Sequence, residues 1–198
     1  MQQATRSNRE RTETTRNNLI STARALFVEK GYAETSTPEI CAAAGITRGA
    51  LYHHFADKRD LLRAVLEREA RSVADDIEAA APSGESAKQA LISGSLAYLD
   101  AMRVAGRTRL LLVEGPAVLG IAEMQALDEA HGARTLREGI EAALKPQDLN
   151  RMPVLALSAL LSAAFDRAAL AIDAGGDAAD FRAAMIGIIE CLLGDSGR

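Results

Sequence analysis

Hydrophobic residues recur every three or four positions along most of the chain, and glycine or proline residues separate one such stretch from the next. This spacing is that of amphipathic α-helices, and no segment shows the strict alternation of a half-buried β-strand. The pattern therefore predicts an all-α fold. About nine helices are expected, over residues 14–30, 37–44, 47–55, 58–80, 86–103, 107–113, 117–144, 151–174 and 177–193, with an irregularity near Gly132 and with connections that include residues 82–84 and 145–150.

The segment from Thr35 to Lys58 combines two short helices with a tight glycine turn. Thr37 is expected to cap the first helix, because its hydroxyl can accept hydrogen bonds from the free N–H groups at a helix start. Gly45 can end that helix in the left-handed conformation without steric strain. Thr47 is expected to cap the second helix. Two capped helices joined by such a turn have the layout of a helix-turn-helix.

The second of these helices has one apolar face, formed by Leu51 and Phe55, and one polar face. The residues that point away from the apolar face are Arg48, Gly49, Tyr52 and His53. Such a mixture of cationic, hydrogen-bonding and backbone-exposing residues suits a helix that enters the major groove of DNA. Arg48 is the best candidate to read guanine, and Gly49 lets the backbone approach the bases closely.

Helix pairs of this kind also occur in all-α proteins that never bind DNA, so capping and turn chemistry alone leave the function open. The wider signature is more specific. It consists of Gly31-Tyr32, Thr35-Ser36-Thr37, Glu39-Ile40, Ala44-Gly45-Ile46-Thr47-Arg48-Gly49, Leu51-Tyr52-His53-His54-Phe55 and Lys58. Together these residues, in the first third of the chain, resemble the N-terminal signature of the TetR family (TetR/AcrR type) of bacterial transcriptional regulators.

The resemblance implies an N-terminal three-helix DNA-binding domain over residues 1–57 and a C-terminal helical domain for effector binding and dimerisation over residues 58–198. Residues 1–13 are polar, and we expect them to be disordered. By the same resemblance, Arg48 and Gly49 lie closest to the base edges. The residues expected to contact phosphates are Thr37, Thr47, Tyr52, His53 and Lys58.

Charge is unevenly distributed along the chain. The net charge is −4, yet the residues up to Arg63 carry ten Lys or Arg against seven Asp or Glu, which gives +3 there and −7 in the remainder. A basic excess beside the helix-turn-helix is the asymmetry expected when one lobe approaches phosphates and the other does not. The negative overall charge is therefore compatible with DNA binding.

The two helices predicted over residues 151–174 and 177–193 are apolar over more of their circumference than one side of a small lobe can use. A central pair of core helices is one interpretation. A two-fold four-helix dimer interface is the preferred one, because small residues permit close approach and TetR-like proteins dimerise in this way. The predicted interface residues are Leu157, Leu160, Leu161, Ala164, Ala168, Met185, Ile188, Ile189 and Leu192.

The resemblance also implies a small-molecule pocket in the C-terminal domain. The candidate residues, each of which is more simply explained as plain core, are Tyr98, Met102, Leu111, Leu112, Glu114, Val118, Met124 and Phe165. Glu114 is a charge inside an apolar run, so it could neutralise a cationic ligand, pair with Arg107 or Arg109, or face water. The aromatic content of only 4% argues against flat cationic effectors.

Other functional classes are disfavoured. The sequence shows no Ser/His/Asp set, paired carboxylates, metal-ligand cluster or phosphate-binding glycine loop, so we expect neither catalysis nor a metal or cofactor. Cys41 and Cys191 are interpreted as small buried hydrophobes in a reducing compartment. The longest apolar stretch identified, from Leu110 to Ala122, falls short of the roughly 20 residues that span a bilayer. A soluble cytoplasmic protein without a membrane partner is therefore expected.

Three functions remain open on the sequence. The first is a homodimeric repressor that binds a near-palindromic operator in double-stranded DNA and is released by a small-molecule effector. Paired half-sites are expected because a single short helix makes few base contacts. The second is a constitutive or architectural DNA-binding protein without an effector, and the third is an all-helical enzyme with a degenerate helix-turn-helix.

Overall fold

The computed structural model describes residues 2–80, 84, 86–145 and 153–194. Across these ranges the chain forms ten helical segments and no β-strand, which confirms the all-α prediction. The helices are α1 Gln2–Lys30, α2 Thr37–Ala44, α3 Arg48–His54, α4 Lys58–Ala79, α5 Ala87–Met102, α6 over residues 107–119, α7 Ile121–Ala130, α8 Gly132–Ala143, α9 Val154–Asp173 and α10 Ala178–Leu193.

Helix α6 is one continuous segment made of Arg107–Arg109, a π-helical turn over Leu110–Glu114, and Gly115–Leu119. The predicted break at Gly115 and Pro116 was wrong. Proline is tolerated in the first turn of a helical piece, where its missing N–H has no required partner. The chain leaves helical geometry instead at Gly120, whose φ is +87°, and again at His131. The predicted helix over residues 117–144 is therefore divided.

Helix α1 begins at Gln2 rather than near Thr14, so the structure has helix where a disordered arm over residues 1–13 was expected. Residues 2–30 contain no glycine or proline, and nothing in them interrupts a helix. The other end agrees with the sequence, because the chain turns at Gly31 with a φ of +88°. The N–H of Gly31 still donates to the carbonyl of Phe27 at 2.9 Å.

Two predicted connections and one predicted helix start fall largely outside the described residues. Of the loop predicted over residues 82–84, the structure describes Gly84, which lies in a turn. Of the connection predicted over residues 145–150, it describes Lys145. The predicted helix start at Arg151 is also outside the described part, in which α9 begins at Val154.

The hydrophobic core consists of two clusters. In the first, Leu19 of α1 and Leu51 of α3 share a continuous cluster with Met102 of α5 and Leu110 of α6. The three N-terminal helices are thus packed directly onto the rest of the chain, and a domain boundary after residue 57 stays a prediction. The second cluster, among α5, α8, α9 and α10, includes Leu91, Leu99, Ile140, Phe165, Met185 and Ile189.

A buried carboxylate joins three helices at the centre of the first cluster. Glu69 of α4 is 4% exposed and pairs with Arg24 of α1 at 2.8 Å and with Arg107 of α6 at 3.0 Å. Burial opposes ionisation of this carboxyl, but the hydrogen bonds from the two arginines outweigh it and lower the pKa of Glu69. The pairing fixes α1 and α6 against the same point of α4.

Among the described helices, α9 alone is long and apolar enough to cross a bilayer by the criteria of length and composition. The expectation that residues 110–122 form the longest apolar stretch was therefore wrong. Only 28% of the most apolar part of α9 is buried within the monomer. However, the Asp166 carboxylate of α9 accepts a hydrogen bond from the Tyr98 hydroxyl of α5, so α9 packs as one helix of the bundle.

Candidate nucleic-acid interface and ligand cavities

Helices α2 and α3 are held in a helix-turn-helix by caps and a glycine turn. The Ser36 hydroxyl accepts a hydrogen bond from the N–H of Glu39, so Ser36 caps α2 and the prediction that Thr37 does so was wrong. Gly45 ends α2 with a φ of +67°, as predicted. The Thr47 hydroxyl accepts from the N–H of Ala50 at 3.2 Å, which confirms Thr47 as the cap of α3.

The outward face of α3 is a compact polar surface. Leu51 anchors the helix in the core with no exposed surface. The exposed residues are Thr47, Arg48, Gly49, Tyr52 and His53. The Arg48 guanidinium lies 5.4 Å from the centre of the Tyr52 ring. Hydrogen bonds from Thr37 and then Arg48 lower the pKa of the Tyr52 hydroxyl, so α2 and α3 contribute to one surface.

Gly49 lies in the first turn of α3, within this surface. A Cβ atom built at Gly49 would have only one neighbour within 4 Å, the Thr47 hydroxyl at 3.9 Å, which is ordinary contact. The fold therefore has no steric need for glycine here. The space outside Gly49 is open to a molecule that approaches α3 from solvent.

Lys58 has a different environment from the one expected of a phosphate contact. Its ammonium donates to the carbonyls of Tyr32 and Thr35, both at 2.8 Å, and lies 4.1 Å from the centre of the Tyr32 ring. An ammonium has three donors, so one remains for DNA. Lys58 fixes the α1–α2 turn against the start of α4, which the sequence motif alone did not indicate.

Glu114, a predicted pocket residue, lies away from the cavities. Its carboxylate pairs with Arg109 at 2.7 Å and accepts a hydrogen bond from the N–H of Tyr32 at 3.1 Å. One of the three sequence interpretations, pairing with Arg109, thus agrees with the structure. The second contact was not foreseen, because Tyr32 is distant in sequence. Glu114 joins α6 to the turn that precedes α2.

Two adjoining cavities of about 290 and 320 Å³ lie among the C-terminal helices, and both are lined by Tyr98, Asp128 and Gly132. Phe165 lines the smaller one, called cavity A. The larger cavity, called cavity B, is lined by four other predicted pocket residues, Met102, Leu111, Leu112 and Met124. Glu114 and Val118 line neither cavity, which corrects the prediction for both. Val118 instead packs against the first core cluster.

Two carboxylates that were not among the predicted pocket residues line the cavities, Asp128 both of them and Asp166 cavity B. The Tyr98 hydroxyl donates to Asp166 at 2.6 Å, and the Ser162 hydroxyl lies 3.4 Å from Asp128. Burial raises the pKa of both carboxyl groups, and for Asp128 burial together with the Asp166 charge raises it to about 6. Burial also raises the pKa of Tyr98. No local sequence signal distinguishes these aspartates from surface ones.

The nine residues predicted to form a dimer interface have three environments. The prediction is corrected for the residues buried in the second core cluster of the monomer, which are Leu161, Ala168, Met185 and Ile189. They pack inward because α9 uses one face against α5 and α8, and α10 uses one face against α5 and α9. Those partly buried at the edge of the cluster are Leu157, Ala164 and Leu192. Leu160 is 70% exposed and Ile188 is 45% exposed, so these two remain available.

The outward faces of α9 and α10 form an apolar surface of small and large residues. Its exposed members include Ala156, Ala159, Leu160, Ala163, Ala184, Gly187, Ile188 and Cys191. Their spacing of three or four positions places them along one side of each helix. Cys191 is a free thiol on this surface, so the prediction of a buried cysteine was wrong for Cys191, whereas Cys41 is buried as predicted.

Comparison with known proteins agrees with the helix-turn-helix and the helical C-terminal part. A family described as "Bacterial regulatory proteins, tetR family" matches residues 19–65, and "Tetracyclin repressor-like, C-terminal domain" matches residues 88–195. The regulator AcrR of Shigella flexneri is 30% identical over 73% of each chain. Other curated relatives align over shorter stretches, and the chain spans 26 to 30% of their length.

Solved structures show the same fold. A TetR-family regulator from Pectobacterium atrosepticum is 32% identical, covers 93% of this chain and 95% of its own, and superposes with a TM-score of 0.69. The TetR-like regulator LfrR from Mycobacterium smegmatis, in complex with proflavine, shares the fold at 21% identity, with a TM-score of 0.63 over 89% of this chain and 94% of its own.

The chain is therefore a helix-turn-helix DNA-binding regulator by class. It belongs to the TetR family of bacterial transcriptional regulators.

Proposed function

We propose that the protein is a cytoplasmic homodimeric repressor that binds a near-palindromic operator and is released from it by a small-molecule effector. The observation that carries the DNA-binding part is the outward face of α3, where Arg48, Gly49 and Tyr52 are exposed together while Leu51 anchors the helix. An exposed guanidinium next to a residue without a side chain can reach a base edge in the major groove. Thr37, Thr47 and His53 flank the same surface and would contact phosphates.

The exposed apolar faces of α9 and α10 support the dimer. Large apolar residues at 70% and 45% exposure, with alanine and glycine between them, are unusual on a monomer surface and suit close packing of two helix pairs. A two-fold axis through this surface would present two copies of α3 to successive half-sites on one face of DNA.

The two cavities support an effector. Their volumes are at the lower end of the range typical of small-molecule sites, about 300–1,000 Å³, and their walls are mostly apolar with a few polar groups. LfrR, whose solved structure holds proflavine, shows that the fold accommodates a small molecule. A DNA-binding protein without an effector is the second candidate. A screen of small molecules for a rise in melting temperature that coincides with operator release separates the two, because only the ligand-relieved repressor should show both effects.

The operator is best found by selection of tight binders from a random duplex library, followed by gel shifts with the purified protein. We expect a near-palindrome bound by a dimer. Arg48→Ala should relax base preference by the roughly 1–3 kcal/mol of a bidentate base contact. Lys58→Ala should weaken binding to all sequences alike, because it removes the one donor left for a phosphate and also releases the α1–α2 turn, and it should reduce the salt dependence of binding. Arg71→Ala, an exposed arginine further along α4, is the matched control. Absence of any selected sequence would refute the proposal.

The dimer is tested by sedimentation equilibrium. Leu160→Glu places a charge on the α9 surface and should shift the protein to monomer and abolish operator binding, because each half-site alone is bound weakly. Val104→Glu, at a residue that is 43% exposed outside the α9–α10 surface, should leave the dimer intact. A fully dimeric Leu160→Glu variant would place the interface elsewhere.

A further inference from the structure

The charged residues that line the two cavities are all acidic. Among the described residues, those lining cavity A include Glu78 and Asp128, and those lining cavity B include Asp128 and Asp166, with no lysine, arginine or histidine in either set. Glu78 is neutralised by Arg134 at 3.2 Å. Neither Asp128 nor Asp166 has a cationic partner within 4 Å in the described part of the chain, so two uncompensated carboxylates remain.

The contacts of these carboxylates involve neutral donors only. Asp166 accepts from the Tyr98 hydroxyl, and Asp128 accepts from the Ser162 hydroxyl and from the N–H of Ala133 at the start of α8. These contacts orient the two groups without cancelling their charge. Asp128 is exposed and Asp166 is half-buried, so a molecule in the cavities can reach both carboxylates. The charge of Asp166 disfavours ionisation of Asp128, and a cation beside both groups would relieve this repulsion.

A second and independent observation points to a ligand in cavity A. Ser95 of α5 lines this cavity, is only 6% exposed, and its hydroxyl has no hydrogen-bond partner among the described residues. Buried polar groups without a partner are rare in folded proteins, because each loses its bonds to water. A molecule with a polar group in cavity A would satisfy the Ser95 hydroxyl.

We infer that the joined cavities bind a lipophilic organic cation, with its ammonium group beside Asp128 and Asp166 and a polar substituent near Ser95. The apolar walls, contributed by residues such as Leu91, Met124 and Phe165, take the hydrocarbon part. A metal ion fits less well, because no group of three or more His, Cys, Asp or Glu side chains that could hold one occurs in the described ranges. The inference rests on the proposed function, of which it names the effector class.

The inference also revises an expectation from composition. Low aromatic content spoke against flat cations, since such ligands are often held by stacking and cation–π contacts. Carboxylates supply the attraction here, so the cation need not be flat. Tyr98 and Phe165, whose ring centres lie 5.7 Å apart, are the two aromatic residues at the cavities.

Matched pairs of probes test the inference by isothermal titration calorimetry. The amines 1-adamantanamine and 2-naphthylmethylamine are protonated at about pH 7.5, whereas 1-adamantanol and 2-naphthylmethanol are neutral molecules of nearly the same shape. We expect each amine to bind at least about tenfold more tightly than its alcohol, as a charge-assisted hydrogen bond predicts. Equal affinity within both pairs, or binding by neither amine, would overturn the inference.

Substitutions then assign the preference to the two aspartates. Asp128→Asn and Asp166→Asn keep an acceptor for the existing donors but remove the charge. Each should bring amine and alcohol affinities close together while alcohol binding persists, which also shows that the variant is folded. Asp173→Asn, at the exposed end of α9, should keep the full preference. If Asp128→Asn and Asp166→Asn both keep the full preference for the amine, the ammonium group is recognised elsewhere and the inference is wrong.

The same protein samples are assayed for binding to the selected operator without a ligand. Operator binding with no preference for amines would refute the cation inference alone. If the unmodified protein does not bind any selected operator, the proposed function itself is refuted. The two failures are therefore distinguishable.

Discussion

The Arg59 guanidinium of α4 donates to the Glu123 carboxylate of α7 at 2.7 Å. Arg59 is the second residue of α4, the helix that follows the helix-turn-helix. Arg59 also donates to the carbonyl of Leu119 at 3.1 Å, and Arg63 pairs with the same carboxylate of Glu123. Helix α7 lines cavity B through Met124 and both cavities through Asp128. One short helix therefore contacts both the cavities and the start of α4.

This contact predicts that Glu123→Gln uncouples the ligand from DNA. The variant loses its ion pairs with Arg59 and Arg63 but keeps the cavity walls, so ligand affinity should change little while ligand-induced release from the operator becomes weaker. Gel shifts with increasing ligand measure the release. Glu67→Gln, which removes an exposed ion pair within α4, is the control. Unchanged release in the Glu123 variant would show that coupling follows another route, such as the contact of Glu114 with Tyr32.

Gly49→Ala should separate stability from DNA binding. Alanine fits without a clash and is a better helix former, so the free energy of unfolding should rise by roughly 0.5–1 kcal/mol or remain unchanged. Operator binding should fall at least tenfold, because the added methyl group lies between α3 and the bases. Urea unfolding and gel shifts measure the two effects. If operator affinity is retained, the backbone of α3 does not approach the bases at this residue.

Glu69→Gln should strongly destabilise the fold. The substitution leaves Arg24 and Arg107 without their shared carboxylate, and Arg107 is buried, so a loss of about 3–5 kcal/mol in the free energy of unfolding is expected. Glu67→Gln breaks an exposed pair on the same helix and should cost less than about 1 kcal/mol. Urea unfolding of both variants provides the measurement. Similar small losses would mean that the buried group contributes no more than a surface pair.

The raised pKa of Asp128 predicts a pH-dependent stability. In the folded protein the pKa of Asp128 is about 6, whereas its ordinary value is 3.8. The folded state therefore binds the carboxyl proton more tightly than the unfolded state does, and the stability gained from this proton is lost as the pH rises between these two values. Asp128→Asn removes the penalty for the charged form. Its melting temperature should therefore exceed that of the unmodified protein more at about pH 8 than at about pH 4.

The neighbouring groups do not reverse that expectation. Asp166 and Glu129 also carry negative charge near Asp128, Tyr98 is neutral below its raised pKa, and Ser162 donates a hydrogen bond. Differential scanning fluorimetry across this pH range checks the prediction, with Asp173→Asn as the control. An equal gain at both pH values would contradict the raised pKa.

The sequence by itself determined the features that depend on neighbouring residues. Helix periodicity, the cap at Thr47 and the glycine turn at Gly45 are local, because they involve hydrogen bonds and backbone angles within a few positions. The cap of α2 was not determined in this way. Ser36 and Thr37 are both residue types that cap helices well, and the extended backbone at Ser36 makes Ser36 the cap. The turn at Gly31 was also predicted. The helical state of residues 2–13 was not, because their polarity favoured a disordered arm although no residue in them interrupts a helix.

The tertiary structure decided the features that depend on residues distant in the chain. Glu114 and Lys58 are held by the turn around Tyr32, and Asp128 and Asp166 line the same cavity only because α7 and α9 both pack on α8. The same packing divides the apolar residues of α9 and α10 into an inward core and an outward surface, because a helix that is apolar all round does not reveal which side its neighbours cover. Burial and charge pairing arise from three-dimensional contacts, and these set the chemistry of the cavities.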